Sequence, residues 1–126
     1  MSLKTKLYAP EGYWKLTGEQ REDLCNGCGP GKILGVLVPD TIWWLCITPA
    51  CNIHDYMYVR GKTLDDKNEA DRVFLNNMLR LVEAGTERRW LRRLRISRAL
   101  VYYRAVSQLG GPWYWRGKNH SGEYRT

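Results

Sequence analysis

The sequence predicts a mainly α protein: two long antiparallel helices, a glycine-rich loop before them and a third, basic helix after them. Three observations predict it. Helix start and stop signals recur at close spacing, with Thr48-Pro49 and Gly61, Thr63 and Gly85, then Thr86 and Gly110-Gly111-Pro112. Between these signals the apolar residues fall three and four apart rather than alternating. Upstream, Gly27, Gly29, Pro30, Gly31, Gly35 and Pro39 disfavour regular structure over 27–48. The chain is read as one domain, 1–126, with 113–126 as a C-terminal tail lying on its body.

The elements follow in order. Residues 1–16 form an irregular, aromatic-bearing lead-in. Thr17-Gly18-Glu19-Gln20 has the form of a capping box and opens a short helix to about Cys25. Thr48-Pro49 starts the next helix, with a hydroxyl cap and proline at the first helical position, where its missing N–H does no harm. Gly61 should stop that helix near Arg60 in a left-handed conformation. Thr63 caps the following helix, whose first turn sets Asp65 and Asp66 against the positive end of the helix dipole. It runs to about Glu83 or Ala84, and Gly85 closes it. A link of about three residues makes the two helices pack antiparallel. The third helix starts after Thr86 and ends before Gly110, with Trp90, Leu94, Val101 and Ala105 as its core stripe.

The formal charge is +7, with arginine dominating the second half. Such a balance favours acidic partners, whether anionic lipid, nucleic acid or an acidic protein surface. Six Trp and eight Tyr stand against one Phe, a bias that suits either a small core or surfaces that are apolar on one side and wet on the other. No apolar run approaches the roughly 18 residues of a spanning helix. The most apolar window, Ile33 to Trp44, is broken by Pro39-Asp40. The first residues lack the apolar core of a signal peptide, which leaves the compartment open.

Chemistry concentrates in Cys51-Asn52-Ile53-His54-Asp55-Tyr56-Met57-Tyr58. Cys51, His54, Asp55 and Tyr58 are three and four apart and share a helix face. On the next helix Asp71 stands in an apolar stripe with Phe74, Leu75, Met78 and Val82. A carboxylate buried there needs partners. The imidazole of His54 and the phenol of Tyr58 are the facing candidates; the alternatives are a helix cap, Arg72 or Arg80, or a place at the solvent edge. An imidazole can take a proton from water near neutral pH, and an acid behind it fixes the tautomer. A second carboxylate beside a glycine-rich turn can hold a hard cation. The set points to metal-assisted hydrolysis.

Three segments carry a resemblance: Cys28-Gly29-Pro30-Gly31, then Cys51-Asn52-Ile53-His54-Asp55 with Tyr58, then Ala70-Asp71-Arg72-Val73-Phe74. In this order they resemble the secreted phospholipase A2 superfamily, over roughly residues 24–80. The resemblance implies Ca²⁺-dependent attack of water on the sn-2 ester of a glycerophospholipid. It makes His54 the general base, Asp71 the acid that orients it and Tyr58 the support of Asp71. It makes Asp55 the side-chain calcium ligand, the carbonyls of Gly27, Gly29 and Gly31 the loop ligands, and the Gly29 N–H an oxyanion donor. The chain departs from the pattern in a longer segment between Gly31 and His54, in Met57 where many members have cysteine, in Cys46 five residues before Cys51, and in Lys32 directly after the loop glycines. The first two departures suggest a divergent, microbial-type member, and Lys32 would weaken cation binding if it pointed inward.

Four cysteines allow two disulfides in three connectivities. The resemblance pairs Cys28 with Cys51, tying the loop to the catalytic helix, and leaves Cys25 and Cys46 as a second bridge or as free thiols. The rival reading is zinc on Cys25, Cys28, Cys46 and Cys51. The run of Arg88, Arg89, Arg92, Arg93, Arg95, Arg98 and Arg104 is either a solvated face or a seat on anionic phospholipid, aided by Trp43, Trp44, Trp113 and Trp115. Nucleic acid ranks below lipid because no recognition motif accompanies the arginines, and His120 is given no role. Two other functions stay open: a non-catalytic membrane- or protein-binding module on the same scaffold, and a zinc-bearing basic module for nucleic acid.

Overall fold

The structure, a computed structural model, describes residues 6–16 and 41–115. Within them the chain is mainly α. It runs α1 (Glu11–Trp14), β1 (Thr41–Ile42), β2 (Leu45–Cys46), α2 (Thr48–Arg60), α3 (Leu64–Gly85), α4 (Arg89–Leu109) and α5 (Gly111–Trp115). The expected helix from 17 to 25 and the loop glycines Gly27, Gly29 and Gly31 lie outside the described residues.

Helix α3 is the centre of the packing. His54 meets Asp71 near the middle of α2, while Tyr58, one turn further on, lies beside Lys67, one turn earlier on α3. The contacts run in opposite senses, so α2 and α3 are antiparallel, joined by Gly61, Lys62 and Thr63. The same holds for α3 and α4: Lys67 reaches Val106 and Ser107, whereas Arg95 reaches Gly85 and Thr86. The main core gathers Ile42, Ile47, Ala50, Phe74, Met78, Ala99, Tyr102 and Val106. A smaller cluster of Tyr13, Ile53, Tyr56 and Val73 seals the other side of α2.

The start of α3 is as expected. Thr63 Oγ1 accepts the Asp66 N–H at 3.1 Å, and the Asp66 carboxylate accepts the Thr63 N–H at 3.2 Å, a complete capping box. Other local expectations need correction. Helix α2 begins at Thr48, so Ile47 takes the cap position; the Thr48 hydroxyl instead accepts the Cys46 thiol at 3.4 Å. Gly61 ends α2 in an extended conformation, φ −70° and ψ 154°, not a left-handed one. Its lack of a side chain has a steric cause: a Cβ would lie 2.5 Å from the Tyr114 hydroxyl, which donates to the Thr63 carbonyl at 2.6 Å.

Residues 41–46, expected as turn, form a two-stranded antiparallel hairpin with Ile42 opposite Leu45. Trp43 and Trp44 are its two-residue loop, with φ of 45° and 68°. Positive φ at both loop positions belongs to the turn that matches strand twist, and Gly or Asn normally occupies it. Two tryptophans there carry strain of roughly 1–2 kcal/mol each. Arg95 holds the turn, donating to the Trp43 carbonyl from Nε at 3.1 Å and Nη2 at 2.7 Å. Tyr102 donates to the Thr41 carbonyl at 2.9 Å.

That arginine also explains the largest correction. Most of the expected α4 core stripe is outside: Trp90, Leu94 and Val101 are 59%, 39% and 49% exposed, while Ala105 is half-buried against the core. The buried face is Arg95, Ala99, Tyr102 and Val106, about a third of a turn away at 100° per residue. Two demands set that rotation. The Arg95 guanidinium finds carbonyl and hydroxyl acceptors only by facing inward, and Ala99 lets α4 approach α3 closely.

Candidate active site

Helices α2 and α3 converge on one carboxylate. Asp71 Oδ1 accepts from His54 Nε2 at 2.8 Å and from the Tyr58 hydroxyl at 2.7 Å. Its Oδ2 accepts from Lys67 Nζ at 2.7 Å. Asp71 and His54 are each 1% exposed. Asp71 stands where α3 presents its apolar stripe to α2, so the buried charge is met by three donors and not left unpaired. Arg72 and Arg80 are not its partners: Arg72 pairs with Glu69, and Arg80 donates to the Lys6 carbonyl.

The imidazole is fixed from several directions. The Tyr58 and Phe74 rings pack against it, with centroids at 4.2 and 4.6 Å. Tyr114 packs edge-on against Tyr58, centroids 5.0 Å apart. With Nε2 engaged by Asp71, Nδ1 is the ring nitrogen left to exchange a proton. Burial pulls the His54 pKa below its ordinary value and outweighs the opposite pull of Asp71, so the ring is a neutral base near pH 7 with its proton on Nε2. For Asp71, burial alone would raise the carboxyl, but hydrogen bonds from His54, Lys67 and Tyr58 hold it below the usual range and keep it ionised. Burial, followed by the charge of Asp71, pushes the Tyr58 phenol far up, so Tyr58 stays a donor.

The sequence-predicted residues divide accordingly. His54, Asp71 and Tyr58 come together as expected. Asp55 follows His54 on α2 and is half-buried. Gly27, Gly29 and Gly31, the other residues assigned to calcium, and with them the Gly29 N–H, lie outside the described residues. Asp55 is thus the calcium-assigned residue that lies among the described residues, and its carboxylate is a donor that suits a hard cation. Cys51 is disulfide-bonded, which removes it as a thiolate for zinc, and its partner lies outside the described residues, as do Cys25 and Cys28. Cys46 is an exposed free thiol, so of the alternatives left for it the second bridge is not formed. Among the described residues no helix is long and apolar enough to cross a membrane.

Lys67 is the site residue that sequence reasoning missed. A signal was present: it lies four residues before Asp71, on the same face as Phe74 and Met78, where a lysine has no place unless paired. It is 4% exposed.

This arrangement can hold a neutral imidazole in one tautomer against a permanent anion, the equipment for taking a proton from water. Set against models of protein families, curated proteins and solved structures, the chain matches none.

Proposed function

We propose that this protein is a calcium-dependent hydrolase of the phospholipase A2 type, cleaving the sn-2 ester of glycerophospholipids. The observation that carries the reading is the buried His54–Asp71 contact at 2.8 Å, backed by Tyr58, in the order and on the helices that the sequence resemblance requires.

His54 Nδ1 takes a proton from a water molecule as the water oxygen bonds to the ester carbonyl carbon. Asp71 holds Nε2–H in place and stabilises the imidazolium that forms. Collapse breaks the bond to the glycerol oxygen, and the imidazolium returns its proton there, leaving a fatty acid and a lysophospholipid. Asp55 with the carbonyls of Gly27, Gly29 and Gly31 would hold Ca²⁺, which when bound supplies positive charge where the carbonyl oxygen becomes negative. The Gly29 N–H would donate to the same oxygen.

The partner in this reading is a phospholipid surface, preferably anionic. Trp44 is 83% exposed at the hairpin tip, and Arg88, Arg89, Arg93, Arg98 and Arg104 are exposed on and beside α4. Indole and guanidinium groups both favour the zone between headgroups and water.

The test is fatty-acid release from mixed anionic vesicles, with calcium or with chelator, by the wild-type protein, His54→Ala and Asp55→Ala. Calcium-dependent release is expected, falling by about a thousandfold or more in His54→Ala, as when a catalytic base is removed elsewhere. In Asp55→Ala release should be lost together with the response to calcium. Wild-type rates in either variant overturn the assignment.

A further inference from the structure

We infer that Lys67 is a positioning residue for this hydrolysis: its ammonium clamps the second oxygen of Asp71 and ties the dyad to the end of α4. The inference rests on the function proposed above and deepens it.

Three contacts converge on Nζ: Asp71 Oδ2 at 2.7 Å and the carbonyls of Val106 and Ser107, each at 3.2 Å. They use all three ammonium protons. Asp71 Oδ1 already serves His54 and Tyr58, so without Lys67 the Oδ2 atom would be buried and unmet. A carboxylate held on one oxygen can swing about its terminal torsion, which is broad for Asp. Held on both, it cannot, and the direction of Oδ1 toward Nε2 is set.

Packing alone does not account for a lysine here. An unbranched apolar side chain such as methionine would fill much the same space without desolvating a charge. The two carbonyls belong to the last turn of α4, whose C-terminal end favours a cation. Through Nζ, the seating of α4 against α3 is therefore felt at the carboxylate that orients His54. This places a third helix in control of the dyad, although α4 contributes no side chain to it.

The test compares the wild-type protein with Lys67→Met and Lys67→Arg in two measurements. One is steady-state hydrolysis of monomeric and vesicle substrate; the other is the ¹⁵N shift pattern of the His54 ring, which reports its tautomer without any substrate. For Lys67→Met we expect kcat to fall by about a hundredfold, the scale of a 1 Å misplacement, with KM within twofold. Its His54 signals should move from the single Nε2–H tautomer toward exchange between the two. Lys67→Arg keeps the charge but spreads its donors over a wider plane. It should fold, keep KM and lose roughly tenfold in kcat, on the same misplacement argument.

Unchanged kcat and an unchanged tautomer in Lys67→Met overturn the inference while leaving the proposed hydrolase intact. So does a Lys67→Met protein that fails to fold beside a Lys67→Arg protein with wild-type kcat and tautomer, since the lysine then only stabilises. Should the wild-type protein release no fatty acid, the hydrolase reading fails by itself. The tautomer measurement then decides whether Lys67 positions the dyad.

Discussion

Replacing Asp71 by alanine strips three donors of their common acceptor. The ammonium of Lys67 keeps only the carbonyls of Val106 and Ser107, and the Tyr58 hydroxyl loses its 2.7 Å partner. Leaving one member of a buried ion pair behind typically costs about 3–5 kcal/mol. A buried hydroxyl that loses a charged acceptor adds about 1–3 kcal/mol. Water entering the space left by the carboxylate relieves part of this, so about 4–6 kcal/mol is expected. That is a large share of the roughly 5–15 kcal/mol available to a domain of this kind. Taking the charge from Lys67 as well should relieve most of the damage. In Asp71→Ala/Lys67→Met neither ion is stranded, and the double variant should be more stable than the sum of the singles by about 2–3 kcal/mol, within the range for contacting pairs. Urea unfolding of all four proteins, with the disulfide at Cys51 oxidised, measures this. Additivity within about 0.5 kcal/mol, the figure for independent sites, would refute the claim that Lys67 and Asp71 form one buried unit.

Stability should also fall with acid in a defined window. The native pKa of His54 lies below 6.5 because the ring is buried, so in mild acid the unfolded chain binds a proton that the native protein refuses. Between pH 7 and 5 the unfolding free energy should drop at up to about 1.4 kcal/mol per pH unit, and His54→Gln should flatten that slope; the same slope in the variant would exclude His54 as its source. The Asp71 carboxyl is held low, so its contribution persists further down and is lost only as pH falls through its depressed native value. Arg95→Met removes the donors that hold Trp43 in its positive-φ turn, and should cost about 2–4 kcal/mol, comparable with other buried charged hydrogen bonds, and raise acrylamide quenching of tryptophan fluorescence. Gly110→Ala places a Cβ 2.5 Å from the Val106 carbonyl and 2.8 Å from the Tyr58 hydroxyl. It should cost about 1–3 kcal/mol by overpacking and lower hydrolysis, because both atoms belong to the Asp71 network; an alanine variant as stable and active as wild type would show that the end of α4 yields freely.

What was legible beforehand follows from what short-range chemistry can say. Thr63 and Asp66 announce a helix start without reference to the rest of the molecule, and the start is where they put it. The meeting of His54, Tyr58 and Asp71 was readable because two helical periodicities and one short link set their facing residues. Helix α4 failed because its apolar residues form two competing faces, and only acceptors outside the helix, Trp43 O, Gly85 O and Thr86 Oγ1, decide between them. Arg95 read as one more surface charge for the same reason. The hairpin at 41–46 hid behind the absence of a turn residue: its loop is Trp-Trp, and the arginine that tolerates this is 52 residues away.

A polar cluster in so small a core invites the question of what keeps it there. Buried ion pairs are poor sources of stability, since apolar residues of like volume often do as well or better by about 1–4 kcal/mol. The network here spans four residues on two helices and borrows two carbonyls from a third, and it exposes almost nothing to solvent. If it existed for stability, removing all of it should hurt. If it exists for chemistry, the fold should do without it. A variant carrying His54→Leu, Tyr58→Phe, Lys67→Met and Asp71→Leu removes the side-chain donors and acceptors of the cluster together, and of the α4 carbonyls that lose Lys67, Val106 keeps the Gly110 N–H at 3.0 Å. We expect it to unfold at a urea concentration equal to or above that of the wild-type protein, and to be inert toward phospholipid with or without calcium. A loss of more than about 3 kcal/mol, beyond what repacking alone imposes, would mean that the charges hold the helices together and that the active-site reading has mistaken a structural clasp for machinery.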